Sequence, residues 1–201
     1  MIKYLIHRHR VNEFLKNEEL LYSFNLDKNS LVFDVGGYKG DFSIKIFQRY
    51  GCNIFIFEPV KNFADNIRKR FKGNIKIKVF NFGLSDKTGK ALISFNEDSS
   101  SLYGVGNKKK IMLKSVMEFL NENKIKHIDL LKLNVEGEEY KILDSLISWQ
   151  HIIKINNILV QFHTNFPDYK KQYLLLKEWL EQTHKLIWRF PFVWELWKKK
   201  L

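Results

Sequence analysis

The chain has one cysteine, Cys52, among 201 residues. A single thiol closes no internal disulfide and builds no zinc site of the cysteine-cluster kind, so a reducing, cytoplasmic setting is expected. Long hydrophobic runs are missing too. The N-terminus has only Tyr4-Leu5-Ile6 before the cluster His7-Arg8-His9-Arg10, too little for a signal peptide, and no stretch reaches the ~18 apolar residues of a membrane span. There is no internal repeat, no zinc finger and no glycine-aromatic signature of an RNA-recognition sheet. Acidic residues are outnumbered, 22 against 34 Lys and Arg, for a net charge of +12. The basic excess is spread along the chain, which reads as solubility, and no nucleic-acid partner is expected.

What is present is core material: 45% hydrophobic residues, with 17 Phe, 8 Tyr and 5 Trp. A chain of this length fits one globular domain, since domains run to ~100–200 residues. Residues 1–30 are expected to form an N-terminal helical segment, with Leu5, Phe14, Leu15, Leu21 and Phe24 among charged residues, closed by Asp27-Lys28-Asn29-Ser30. Beyond it, short apolar runs at Leu31–Val35, Ile54–Phe57, Ile75–Phe80, Ile128–Leu133 and Ile158–Phe162 have the β-branched and aromatic content of strands buried on both faces. Helical patterns at 41–50, 60–72, 114–124 and 138–148 alternate with them, which predicts an α/β fold with a parallel sheet covered on both sides. A hairpin strand is expected near Ala91–Phe95 between Gly83, Gly89 and a polar loop from Asn96 to Lys110 that is a candidate lid. An amphipathic helix at 168–184 and a strand at Leu186–Phe190 complete the pattern.

The chemistry gathers at strand ends. The first strand runs into Asp34-Val35-Gly36-Gly37-Tyr38-Lys39-Gly40, a glycine turn that lets a ligand approach the backbone. Its spacing differs from the Gly-x-Gly-x-x-Gly of a dinucleotide site, and Asp34 would repel a pyrophosphate, which argues against a nicotinamide oxidoreductase. A cofactor bearing an amino group and a sulfonium suits that acid. Glu58, before Pro59 and 24 residues after Asp34, stands where an acid can take both hydroxyls of an adenosine ribose, although a solvated acid closing a strand would look the same. Asn81, Gly83 and Leu84 end the next strand, where they could pack an adenine. Asn134, Glu136, Gln161 and His163, at alternate positions of two neighbouring strand ends, could point into one cleft.

With these segments in view, the chain resembles the FkbM-like family of S-adenosylmethionine-dependent methyltransferases. The matching residues are Phe33-Asp34-Val35-Gly36 with Gly40, Phe57-Glu58-Pro59, Gly83-Leu84-Ser85-Asp86 with Gly89, Ser100-Ser101-Leu102, and Leu130-Leu131-Lys132-Leu133-Asn134-Val135-Glu136-Gly137-Glu138-Glu139 with Leu143. The resemblance covers residues 31–165. It implies a Rossmann-like methyltransferase fold, S-adenosylmethionine bound by the first two motifs, with Asp34, Gly36, Gly37 and Gly40 and with Glu58 and Pro59, and O-methylation of a sugar or small-molecule acceptor; the domain is expected over 31–201, with Asn81, Gly83, Leu84 and Asn134 completing the cofactor site. Family members usually carry Asp where this chain has Asn134, and often Glu where it has Gln161. Each change replaces a carboxylate with an amide, so no metal is expected, because hard cations prefer charged oxygens.

A hydroxyl acceptor must lose a proton, and His163 is the first candidate for the base, with Glu136 the second. The plain alternatives are a hydrogen-bonded strand-end histidine and acids that favour a helix N-terminus. The rival to an enzyme is a binding protein that keeps this fold without catalysis. A further expectation is weak peripheral contact with a membrane through Trp188, Phe190, Phe192, Trp194 and Trp197 beside Lys198-Lys199-Lys200, set against a last strand that simply buries its aromatics.

Overall fold

The computed structural model describes residues 2–96, 99–101, 107–164 and 166–201. Leu31–Val35 (β1) and Asn53–Phe57 (β2) carry apolar residues at nearly every position, and such strands need cover on both faces. Helices α2 (Asp41–Tyr50) and α3 (Lys61–Arg70) supply it on one side, where Ile46 and Ile67 bury against Val32, Ile54 and Ile56. On the other side Phe33, Val35, Phe55 and Phe57 meet α4 (Val116–Glu122) and α5 (Glu139–Ser148). The Phe119 ring of α4 lies 4.9 Å from that of Phe57 and 5.0 Å from that of Phe80. Each such pair adds about 0.5–1.5 kcal/mol beyond the area it buries.

Strands β3 (Ile77–Phe80), β8 (Ile128–Leu133), β9 (Ile155–Val160), β10 (His184–Phe190) and β11 (Trp194–Lys199) complete a seven-stranded sheet in the order β10-β11-β9-β8-β1-β2-β3. Only β11 runs against the rest, pairing antiparallel with both β9 and β10. A smaller sheet, β4-β7-β5-β6, is built from Gly83–Ser85 (β4), Gly89–Asn96 (β5), Ser99–Ser101 (β6) and Asn107–Ser115 (β7), and stands beyond the end of β3. Helices α1 (Ile2–Leu15) and α6 (Tyr169–Thr183) pack on β10, α1 through Phe14 and Phe190, whose rings are 5.5 Å apart.

Several expectations need correction. The polar stretch from Asn96 to Lys110 is not one open loop, because β6 and β7 take up Ser99–Ser101 and the residues from Asn107 onward; residues 97, 98 and 102–106, including Leu102, lie outside the described residues. β7 continues to Ser115, whose hydroxyl accepts from the Glu118 amide and starts α4 at Val116 rather than at 114. Ile75 is 92% exposed and precedes β3, since the turn at Asn74 spends the Ile77 amide on its own carbonyl. β9 begins and ends earlier than expected, at Ile155 and Val160. The N-terminal segment is a helix and a separate 3₁₀ turn (Glu18–Tyr22), and Phe14, Leu21 and Tyr22 bury in the same cluster as Val32 and Ile54.

The aromatics expected at a membrane are instead core. Trp197 is fully buried and Trp194 is 8% exposed, while Trp188, Phe190 and Phe192 pack against the two main clusters. Trp197 lies in one core cluster and Trp194 and Leu196 in the other, so both faces of β11 are covered at these residues. Buried Glu195 accepts from Tyr173 Oη at 2.7 Å and Trp197 Nε1 at 3.1 Å, which satisfies a carboxyl whose pKa burial raises. No helix of the described residues is long and apolar enough to cross a membrane. Trp197→Ala should cost about 3–5 kcal/mol, the range for a large buried aromatic. Chemical denaturation measures this, and a loss below about 1 kcal/mol would mean that β11 is not structurally required.

Candidate active site

The turn after β1 is shaped by one close approach. Gly36 has φ +85°, and a Cβ there would stand 2.0 Å from the Asn134 carbonyl oxygen, so only glycine fits. The Gly36 amide donates to the Phe57 carbonyl, which ties the turn to β2. Gly37 packs directly on Ile56, and Gly40, at φ +84°, caps the N-terminus of α2.

Beneath the turn, the β1–β8 register sets Asp34 beside Lys132. Their ion pair is 2.8 Å long, with Lys132 5% exposed and Asp34 not at all. Ser43 Oγ donates to the other Asp34 oxygen at 2.6 Å, and Lys132 Nζ also donates to the Gly36 carbonyl at 2.8 Å. Asp34, read from sequence as a direct partner of the cofactor, is therefore occupied inside the protein. Its carboxylate does not line the cavity above, because a buried charge is held by the nearest counter-charge and donors.

That cavity encloses about 200 Å³ at the carboxyl ends of β1, β2 and β8, and the small sheet covers it with Ile93, Ile111 and Leu113. Gly36, Glu58, Pro59, Gly83, Leu84, Asn134 and Glu136 line it together, joined by Tyr38, Val135 and Glu138. Asn81 stands one layer behind, its Nδ2 donating to the Glu58 and Pro59 carbonyls at 3.0 Å each. Glu58 is 4% exposed, and its carboxylate accepts from the Tyr38 and Val60 amides at 2.8 Å each. Burial raises its pKa from 4.5 to about 7, and the two amide hydrogen bonds offset only part of that rise. Glu138 is buried, accepts from Ser85 Oγ and pairs with Lys141 at 2.6 Å.

Beyond β8 the backbone is strained. Glu136 has φ +55° and precedes Gly137 at φ +114°, and a non-glycine residue in this region costs about 1–3 kcal/mol. The turn leaves Glu136 lining the cavity, with its Oε1 3.4 Å from His163 Nε2. The other ring nitrogen of His163 is 3.2 Å from Glu139 Oε1, which also accepts from the His163 amide at 2.7 Å. Burial alone would lower the His163 pKa. The two carboxylates outweigh it and push the value up to about 10. His163 therefore carries its proton at neutral pH, stands behind Glu136 and does not line the cavity. Gln161 does not line it either, and its amide donates to the Leu133 carbonyl. Of the four strand-end residues expected in one cleft, Asn134 and Glu136 reach it.

A domain model described as the methyltransferase FkbM domain matches residues 34–190. The chain belongs to this family. It is an S-adenosylmethionine-dependent methyltransferase with a Rossmann-like fold. No curated protein sequence matches it. Among solved structures, a Streptococcus mutans protein described as a methyltransferase and crystallised with S-adenosylhomocysteine aligns over 92% of this chain and 97% of its own, with 11% identity and a TM-score of 0.58. A Clostridium thermocellum protein described as an rRNA methylase aligns over 92% and 94%, with 10% identity and a TM-score of 0.57. The StiE O-methyltransferase segment aligns over 90% and 54%, with 13% identity and a TM-score of 0.51. At such identities the likeness is one of fold.

The methyltransferase cavity suits the cofactor chemically. A buried acid with an amide-bound carboxylate, a backbone turn open to close approach and an apolar cover are what an adenosine with a short polar tail requires. Among the described residues, no three His, Cys, Asp or Glu side chains are grouped to hold a metal ion. The residue that sequence reading left without a role is Lys132. A cation inside Leu130-Leu131-Lys132-Leu133, a strand buried on both faces, signals an acid on the neighbouring strand. Ile93, Ile111 and Leu113 were also missed, because the alternation that marks their shared face lies on two strands far apart in sequence.

Two predictions follow from this geometry. Lys132→Met should leave Asp34 buried without its counter-charge and cost about 3–5 kcal/mol, measured by denaturation; an unchanged midpoint would show that the pair carries no weight. The Glu58 carboxyl ionises as pH rises through about 7, and the role expected of it, accepting from both hydroxyls of a ribose, requires the ionised form. Calorimetric affinity for S-adenosylhomocysteine should therefore rise between about pH 6 and 8 and then level off, with the rise lost in Glu58→Gln. A flat wild-type profile would remove Glu58 from the binding step.

Proposed function

We propose that the enzyme is an O-methyltransferase acting on a hydroxyl of a sugar or other small-molecule acceptor. S-adenosylmethionine is held in this reading by the Gly36 turn, Glu58, Pro59, Gly83, Leu84 and Asn134, with Gly37, Gly40 and Asn81 shaping the wall from behind. Asp34 acts through Lys132, which fixes the Gly36 carbonyl. When bound, the cofactor supplies a methyl group on a positively charged sulfonium.

The observation that carries the proposal is Glu136, a carboxylate held on the cavity wall by a strained backbone and by the protonated His163 ring. A hydroxyl is a weak acid, but its oxygen becomes strongly acidic as it gains a methyl group. A positioned carboxylate is then base enough to take the proton on Oε. His163 becomes a positioning residue: its two nitrogens, spanning Glu136 and Glu139, keep the Glu136 oxygens aimed. This reverses the order of candidates drawn from sequence. The rRNA-methylase description of one structural neighbour belongs to that protein and does not fix the acceptor here.

Glu136→Gln should lower turnover ~10²–10⁴-fold, the range for a positioned base, with S-adenosylhomocysteine affinity nearly unchanged. His163→Gln should cost less, because the carboxylate remains. Since His163 keeps its proton up to about pH 10, the rate profile should show no limb near 6.5. Methyl transfer from labelled S-adenosylmethionine to nucleotide-sugar and saccharide acceptors supplies the assay. A limb near 6.5 that disappears in His163→Gln would return the base role to His163, and full activity of Glu136→Gln would remove Glu136.

A further inference from the structure

A second cavity of about 360 Å³ lies beside the first, and the two share Pro59 and Ile111 as common lining. Its charge has one sign. Lys61 from α3, Lys90 from β5, and Lys109 and Lys110 from β7 line it, and no Asp or Glu does so among the described residues. The β5–β7 register puts Lys90 and Lys110 on one face of the small sheet, with Leu92 and Met112, and Lys109 on the other, with Ile93 and Ile111. Lys61 is paired with Asp65 at 2.5 Å, whereas Lys90 and Lys110 form no ion pair among the described residues. Lys90 and Lys110, on one face and without an ion pair among the described residues, raise the potential there, and an anion beside them relieves their mutual repulsion.

A plainer account exists for part of this set. β4 pairs with β7 only at 113–115, so the edge before Leu113 is open, and lysines on an open edge discourage pairing with another chain. That accounts for Lys109 and Lys110. β5 pairs with β6 only at 94–96, so the same account reaches Lys90; it does not account for the arrival of Lys61 from α3 at the same cavity.

We propose that this lysine cleft binds a phosphate or diphosphate group carried by the methyl acceptor. The proposal rests on the small-molecule acceptor reading and narrows it to anionic acceptors, in which the diphosphate lies beside the shared wall and the rest of the molecule extends toward the first cavity. Lysine binds phosphate as a point charge, without the planar geometry arginine imposes, so a flexible diphosphate is well matched. A nucleotide-linked sugar and a lipid-linked saccharide share that group.

The test uses the full chain saturated with S-adenosylhomocysteine and inorganic pyrophosphate as the probe, titrated calorimetrically at low and high salt. Pyrophosphate should bind, weaken with salt, and bind about tenfold more weakly to Lys90→Gln/Lys110→Gln, while S-adenosylhomocysteine affinity stays the same. Lys90→Gln alone carries the test if the double variant aggregates through its opened edge. Competition by UDP-glucose, or by a polyprenyl diphosphate saccharide in detergent, identifies which carrier the cleft prefers. Absence of pyrophosphate binding, or binding indifferent to both variants, overturns the proposal and leaves edge protection as the lysines' role. Binding of a single-stranded RNA through these lysines without any pyrophosphate binding overturns it in favour of nucleic acid. Methyl transfer is not read here, so a failed titration leaves the hydroxyl-transfer reading standing, and a failed transfer assay does not erase measured pyrophosphate binding.

Discussion

The ion pair between Asp34 and Lys132 holds the catalytic end of the sheet together. It joins β1 to β8 across the ladder, and through Lys132 it reaches the Gly36 carbonyl, which fixes the turn beside the cavity at the strand ends. Burying two charges is expensive, and a pair of well-packed apolar side chains would stabilise the sheet as well or better. What apolar residues would not supply is direction. The lysine has three donors and spends one on Asp34 and one on Gly36, so β1, its turn and β8 are held in a single relative position.

The rim of the cavity follows from that position. Gly36 approaches Asn134 closely because β1 and β8 are locked side by side, and the chain leaving β8 must turn at once to clear it. Glu136 takes the left-handed conformation at this turn, and the strain is supported by the Glu139 contacts to the Gly137 amide and to His163. Glu58 shows the same pattern in titration. Its folded pKa is raised, so the stability it contributes is fully present below about 4.5 and is lost as pH rises through about 7. The fold gives up stability as pH rises to keep this acid buried at the cavity wall.

Much of this was legible in the sequence. β1, α2 and β8 fall on the residues expected, because continuous apolar runs and glycine-marked turns leave few alternatives. The antiparallel strand at Trp194–Lys199 was harder to see, since an aromatic run before lysines has the composition of a buried strand and of a membrane-facing segment alike. Partners decide between them, and no local pattern names β9 and β10 as neighbours. Asp34 and His163 are held away from the cavity for a related reason. A sequence shows that a charge stands at a strand end, whereas its target is set by the nearest opposite charge, and Lys132 and Glu139 lie 98 and 24 residues away.

The position of β11 has a consequence for synthesis. Strands β1, β2, β3, β8 and β9 can pair as they leave the ribosome, since each finds its neighbour among residues already made. β10 cannot join by itself, because β11, the strand that follows it, lies between it and β9. Until Trp194–Lys199 emerges, β9 keeps an open edge and the sheet stays unclosed, with Leu159 and Ile158 exposed to other nascent chains. The edge of β9 is thus open to misassembly until β11 inserts, and that one insertion seats β10 as well.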